Sequence, residues 1–254
     1  MEAYLDNSAT TKPCGKAIEY MNIALEENWG NPSSLHTLGM NAEIAMDDAR
    51  EFLAKYIGAK PQEIVFTSCG TEANNMAIMS ALHRKNRGNR IITTAIEHPS
   101  VLEPAKQLEK FGFEVITLKP QANGVISLSD LENALNEKTV LVSIMLVNNE
   151  TGALYDVASA AAIVREASPK AFIHADCVQA YLKTRFTLKS LGVDALTVSA
   201  HKVNAPKGAA ALAVTAEVIR AKRLVPVTLG GGQESGFRSG TENVPAISAF
   251  GAAA

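Results

Sequence analysis

Short, unbroken apolar strands alternate with amphipathic helical stretches along nearly the whole chain, and this alternation limits the possible folds more than any other feature. Ile64-Val65-Phe66, Arg90–Thr94, Phe113–Leu118, Val140–Leu146, Ala171–Ala175, Ala195–Ser199 and Ala209–Val214 read as strands. Gly15–Asn28, Thr37–Ile57, Thr71 to about Lys85, Pro99–Phe111, Ser129–Asn136 and Val157–Ala167 read as helices. The Ser129 helix is opened by a serine cap and has an acidic first turn. A strand that is apolar on both faces must be covered on both. The expectation is therefore an α/β fold with a mostly parallel central sheet flanked by helices. The last pattern, Thr241–Ala254, reads as a helix cut short, with no cap, basic last turn or terminator. No internal repeat or low-complexity tract interrupts the series.

Composition removes several classes of function. A chain of 254 residues with 47% hydrophobic and 20% charged residues has the makings of a sizeable core. A net charge of −2 argues against broad electrostatic binding to nucleic acid. No apolar run has the roughly 18–20 residues of a membrane span. Met1–Asp6 lacks the basic-then-apolar start of a signal peptide. The three cysteines, Cys14, Cys69 and Cys177, are far apart. They suggest neither a disulfide framework nor a metal site, so a reducing, cytoplasmic setting is expected.

In open α/β sheets, ligands sit beyond the carboxyl ends of the strands. Polar motifs fall at five such places here. Gly70-Thr71 follows the Ile64 strand and opens a helix, where free N–H groups and a hydroxyl can seat a phosphate. Glu97-His98-Pro99-Ser100 follows the Arg90 strand, and its imidazole can stack on a planar ring or move a proton. Asn148-Asn149-Glu150-Thr151-Gly152 follows the Val140 strand and builds a turn or binds a polar ligand. His174-Ala-Asp176-Cys-Val-Gln179 follows the Ala171 strand, and its carboxylate can pair with a protonated ring nitrogen. Ser199-Ala-His201-Lys202 follows the Ala195 strand, and its amine suits Schiff-base chemistry if partly desolvated. Each motif taken alone is also what a helix cap, a turn or a surface lysine looks like. Gly230–Gly240 is glycine-dense, with one arginine: either a flexible loop or one that crosses a subunit interface to a phosphate. It lacks the layout of a dinucleotide site or a P-loop. Together, a lysine, an aspartate, a histidine and a phosphate turn are the parts expected for pyridoxal 5'-phosphate.

The motifs also carry a resemblance. Tyr4–Thr11, Gly30–His36, Phe66–Asn74, Thr93–Ser100, Val147–Gly152, His174–Ala180, Ser199–Lys202, Pro206-Lys-Gly208, Gly230–Glu234 and Arg238–Pro245 occur in order over essentially the whole chain. The sequence closely resembles the cysteine desulfurases of the class V aminotransferase family, fold-type-I enzymes that use pyridoxal phosphate. The resemblance implies that residues 15–254 form the cofactor-binding large domain, ending inside a helix. Residues 1–14 would join a small domain whose C-terminal part is absent. Lys202 would be the Schiff-base lysine and move the Cα proton. Asp176 would pair with the pyridine nitrogen and Gln179 with the ring oxygen. His98 would stack on the ring and take part in proton transfer. Gly70, Thr71, Ser199 and His201 would hold the phosphate, joined by Thr241 from the partner subunit of a homodimer. Asn149 would lie near the ring oxygen and the substrate carboxylate. L-cysteine would be the substrate and alanine the product. The sulfur would pass to a protein persulfide, and from there to a scaffold protein for iron–sulfur cluster or thio-cofactor assembly.

Some positions depart from the family pattern. The persulfide-forming cysteine and the arginine that clamps the substrate carboxylate would lie beyond Ala254. Cys69 stands where glycine is common, Cys177 where alanine is common, and Val203-Asn204-Ala205 where a glycine usually precedes the proline. The chain alone is therefore expected to bind the cofactor weakly and to turn over little. Competing readings are an aminotransferase or selenocysteine lyase of the same family, a non-catalytic cofactor-binding fragment, and a nucleotide-binding α/β protein.

Overall fold

A computed structural model describes residues 3–254. Helices α1 (Gly15–Glu26) and α2 (Thr37–Ile57) lead into strand β1 (Ile64–Thr67) and helix α3 (Gly70–Met79). Next come β2 (Arg90–Thr94), α4 (Pro99–Glu109), β3 (Glu114–Leu118), α5 (Leu128–Ala134), β4 (Thr139–Ser143) and α6 (Val157–Ala167). The chain ends with β5 (Phe172–Asp176), α7 (Leu188–Leu191), β6 (Ala195–Ser199), β7 (Ala210–Val214), α8 (Ala216–Arg220) and α9 (Val244–Ala253). The strands form one seven-stranded sheet in the order β1-β7-β6-β5-β4-β2-β3. Only β7 runs against its neighbours, pairing antiparallel with both β1 and β6. This is the mostly parallel sheet expected of continuous apolar strands.

The two faces of the sheet feed two cores. Ile64, Phe66, Ile92, Val142, Ile173, Leu196 and Ala211 point to the side where α2, α6 and α9 supply Leu53, Ile57, Val164 and Phe250. Val65, Ile91, Phe172, Ala195 and Leu212 point to the other side, against Met76 and Ile78 of α3 and Val101 and Leu108 of α4. Successive strand residues thus serve opposite layers, as the period of two requires.

Several element ends differ from the sequence expectation, each for a local reason. Helix α3 stops at Met79, and residues Ser80–Arg84 tighten into a 3-10 turn. Ser80 Oγ donates to Met76 O at 2.8 Å and accepts from Val225 N at 3.0 Å, which diverts the helical ladder. Strand β4 ends at Ser143 rather than Leu146: Ile144 N and Leu146 N still donate to His174 O and Asp176 O of β5, but Met145 N donates to Glu97 Oε1 at 2.8 Å. The cap of α5 is Ser127, not Ser129, its Oγ accepting from Asp130 N at 3.1 Å. Helix α9 begins after Asn243, whose Oδ1 accepts from Ala246 N at 3.2 Å, so Thr241 and Glu242 lie before it. No helix among the described residues is long and apolar enough to cross a membrane.

Candidate active site

The carboxyl ends of β4, β5 and β6 and the N-terminal ends of α3 and α4 enclose a cleft of about 560 Å³. Gly70, Thr71, His98, Asn149, Asp176, Gln179, Ser199, His201 and Lys202 all line it. Residues that sequence reasoning placed at successive strand ends therefore meet in one space. Thr241 does not. It is exposed and lies in a neighbouring depression with Ser68, Gly208 and Arg238.

Lys202 sits in a single 3-10 turn (Ala200–Lys202) directly after β6. Burial lowers its pKa, while Asp6 and Asp176 oppose the fall. Its Nζ donates to Ser8 O and, at 2.8 Å, to Ala9 O. Gln179 Nε2 donates to the same Ser8 carbonyl at 2.8 Å. The N-terminal segment is thus laid across the mouth of the cleft. It is tied down further by Thr11 N donating to His201 O and Cys14 N donating to Asn204 O.

Asp176 ends β5 with its side chain buried at 5% exposure. Burial raises its pKa, countered by hydrogen bonds from Val178 N at 2.9 Å and Asn74 Nδ2 at 2.7 Å. These donors hold a carboxylate ready to accept a further N–H from the cleft. His174, two residues earlier, is fully buried between Ser143 Oγ at 2.9 Å and Thr197 Oγ1 at 3.0 Å. Burial drives its pKa down to about 3, so it is a neutral strut across β4, β5 and β6.

One end of the cleft is formed at the N-terminus of α3. Gly70 opens α3, and a Cβ there would come within 3.2 Å of Val178 Cγ2 and 3.6 Å of Ser199 Cβ. Beside it, Ser199 Oγ is buried and has no hydrogen-bond partner. A buried hydroxyl is rarely left unpaired, so this one waits for an acceptor from the cleft. His201 is held neutral, its pKa lowered to about 4 by burial and by the charges of Lys202, Lys207 and Lys183. An anion bound there would reverse that last effect.

His98 is the N-cap of α4, and its ring lines the cleft with Nδ1 2.8 Å from Ser100 Oγ. Three residues to which the sequence analysis gave no role support the site. Asn74 and Ser100 are buried polar residues that also line the cleft, and Glu97 is buried next to His98. One signal was available for Asn74: it is a polar residue on the stripe of α3 that otherwise buries Ala73, Ala77 and Ile78.

The aminotransferase class-V family matches residues 3–254. A cysteine desulfurase of Trichormus azollae is 45% identical over 251 residues, which are 99% of this chain and 61% of the relative. A putative cysteine desulfurase of Bacillus subtilis (strain 168) is 42% identical over 245 residues, 96% of this chain and 63% of the relative. Among solved structures, a NifS-like protein superposes with a TM-score of 0.96 at 41% identity, covering 100% of this chain and 68% of that one. A structure described as SspA in complex with cysteine gives a TM-score of 0.94 at 37% identity, covering 99% and 72%. The chain spans about three fifths of the length of the curated relatives it matches (61% of the first).

Proposed function

Because the chain belongs to the aminotransferase class-V family, we propose that its cleft holds pyridoxal 5'-phosphate and serves the desulfuration of L-cysteine to L-alanine. The observation that carries this reading is the pairing of two incomplete groups in one cleft. A buried carboxylate, Asp176, is held by two donors with room for a third, and an unpartnered buried hydroxyl, Ser199 Oγ, stands beside a helix N-terminus. The first suits a protonated pyridine nitrogen and the second a phosphate oxygen. When bound, the cofactor would supply an electron sink that acidifies the substrate Cα–H.

The chain's own residues then divide the work. Asp176 would keep the ring nitrogen protonated. Gly70, Thr71, Ser199 and His201 would receive the phosphate, and Gln179 and Asn149 would face the ring oxygen. Lys202, with its pKa lowered by burial, offers an amine that is neutral more often than an exposed lysine and so can attack a carbonyl carbon or take a proton. To do so it must leave the carbonyls of Ser8 and Ala9, so the N-terminal segment would shift as the cleft fills. Thr241 is exposed and outside the cleft, which supports its service to a second copy in a homodimer. Of the cysteines, Cys177 is fully buried and its thiol is pushed well above the ordinary value. Cys69 lies in the phosphate turn itself. As the resemblance implies, none of the three cysteines stands at the position of the thiol that would receive the sulfur. From there the sulfur would pass to a scaffold protein in the cytoplasm.

The deciding experiment is the visible absorption spectrum of the protein titrated with pyridoxal phosphate, beside Lys202→Ala. A band in the wild type that is lost in the variant is expected. No band in either protein would overturn the cofactor reading. A keto acid in place of alanine, with L-cysteine as substrate, would replace desulfuration by transamination.

A further inference from the structure

A chain of hydrogen bonds, buried as far as Ser100, runs from the Asp176 carboxylate to the His98 imidazole. Asn74 Nδ2 donates to Asp176 Oδ2 at 2.7 Å, and the same nitrogen donates to Ser100 Oγ at 2.8 Å. Ser100 Oγ lies 2.8 Å from His98 Nδ1, and Ser100 N donates to that ring nitrogen at 3.1 Å. Asn74 is 1% exposed and Ser100 6%, so solvent does not compete with the bonds that Asn74 makes, whereas the His98 end of the chain is exposed.

The direction of each bond follows from what each group can do. A carboxylate accepts and does not donate, so the amide nitrogen of Asn74, not its oxygen, faces Asp176. That nitrogen has a second N–H, and Ser100 Oγ receives it. The serine hydroxyl, now an acceptor toward Asn74, has its own proton free for His98. Independently, the backbone N–H of Ser100 can only donate, so the atom it meets must present a lone pair. Both contacts therefore place the same demand on Nδ1. A proton there would face the Ser100 N–H head-on and displace the serine proton as well. Nε2 is the ring nitrogen with no hydrogen-bond partner among the described residues.

We propose that Asn74 and Ser100 are positioning residues that hold neutral His98 in the Nε2–H tautomer, so that the ring meets any occupant of the cleft as a hydrogen-bond donor. It follows that in this tautomer Nε2 offers a proton, not a lone pair, to an occupant of the cleft. A proton leaving a bound amino acid would go to another group, and the Lys202 amine is the one at hand. This catalytic consequence rests on the proposed function, whereas the tautomer does not.

The test is a long-range nitrogen–proton correlation spectrum of the cofactor-free protein with labelled histidines. His98 would be assigned among the five histidines by its loss in His98→Gln. The wild type is expected to show a protonated Nε2 and a bare Nδ1. Ser100→Ala is expected to raise the Nδ1–H share about fivefold, which is the worth of one ordinary hydrogen bond. Ser100→Thr keeps the hydroxyl and is expected to restore the wild-type ratio. Asn74→Ala, checked for folding by circular dichroism, is expected to shift the ratio in the same direction as Ser100→Ala. If it does not fold, the two Ser100 variants decide. A wild-type His98 protonated at Nδ1, or a Ser100→Ala ratio equal to that of the wild type, overturns the proposal. The cofactor titration is read separately. An Nε2–H ring with no cofactor band would leave the tautomer assignment standing and remove the cofactor reading, and a band with an Nδ1–H ring would do the reverse.

Discussion

Glu97 precedes His98 in sequence yet is shut away from solvent, and the contrast shows how much one residue's environment decides. Its Oε1 accepts from Thr94 Oγ1 at 2.7 Å and from Met145 N at 2.8 Å, tying the end of β2 to the segment after β4. Its Oε2 has no partner. Burial, with a smaller push from Asp176, raises its pKa from 4.5 to about 8. At neutral pH the folded protein therefore keeps a proton that the unfolded chain has released. The contribution of this group to stability is full below about pH 4.5 and is lost progressively as pH rises to about 8. Glu97→Gln keeps an acceptor for Thr94 and Met145 but has no proton to lose. The variant is expected to gain on the wild type by roughly 1 kcal/mol per pH unit between about pH 5 and 8. Urea unfolding of both proteins across that range would show it. A difference that stays constant with pH would mean that the buried carboxyl is already ionised when folded.

Among the elements, α9 shows how a helix with little amphipathic pattern finds its place. It is apolar nearly all round (Val244, Ala246, Ile247, Ala249 and Phe250 are all buried), so periodicity does not say which side faces the core. Contact settles the question. Gly251 lies so close to α2 that a Cβ would come within 2.5 Å of Ala49 Cα and 2.6 Å of Ala49 Cβ. A side chain there must push backbone rather than a flexible tip. A residue other than glycine favours the helix by up to about 1 kcal/mol, but overpacking costs about 1–3 kcal/mol and more for a branched side chain. Gly251→Val is accordingly expected to lower the unfolding free energy by about 2 kcal/mol in a denaturant titration. A variant as stable as the wild type would show that α9 is not seated on α2. The same limit on sequence reading applies to α3. Its helical pattern continues to Lys85, but Ser80 bonds back to Met76 and receives Val225 from a distant loop, and this ends the helix at Met79.

Across the whole molecule, the glycine-dense segment Gly230–Gly240 is pinned rather than loose. Glu234 forms a two-pronged ion pair with Arg50 at 2.7 and 2.9 Å and accepts from Phe66 N at 2.7 Å. Arg238 pairs with Glu72 at 2.8 Å, and Glu72 also accepts from Ser68 N. Glu234 and Ser235 adopt left-handed backbone angles, φ 49° and 56°, which these long-range bonds hold in place. The Glu234 side chain is only 2% exposed. Removing its partner strands a buried charge, which costs about 3–5 kcal/mol. Arg50→Met is expected to show that loss and to open residues 230–240 to protease. Adding Glu234→Gln to Arg50→Met is expected to recover part of the stability, because the stranded charge is gone. Equal stability of the single and double variants would mean that the pair does not anchor the loop.

By itself, the sequence determined the layer order, the mostly parallel sheet and the strand ends at which the polar motifs gather. These follow from local periodicity and from the rule that fully apolar strands are covered on both faces. Every lining residue read from the motifs, from Gly70 to Lys202, reaches the cleft because each follows a strand whose carboxyl end is there. Only the tertiary structure decided how they are held. Asn74 on α3, Ser100 on α4 and Asp176 on β5 are 26 and 102 residues apart along the chain from Asn74, yet they share one nitrogen's hydrogen bonds. The carbonyls of Ser8 and Ala9 meet Lys202 across more than 190 positions. Hydrogen bonds between such distant groups leave no period or motif in a sequence, because their partners are chosen by packing, which is fixed only when the whole chain has folded.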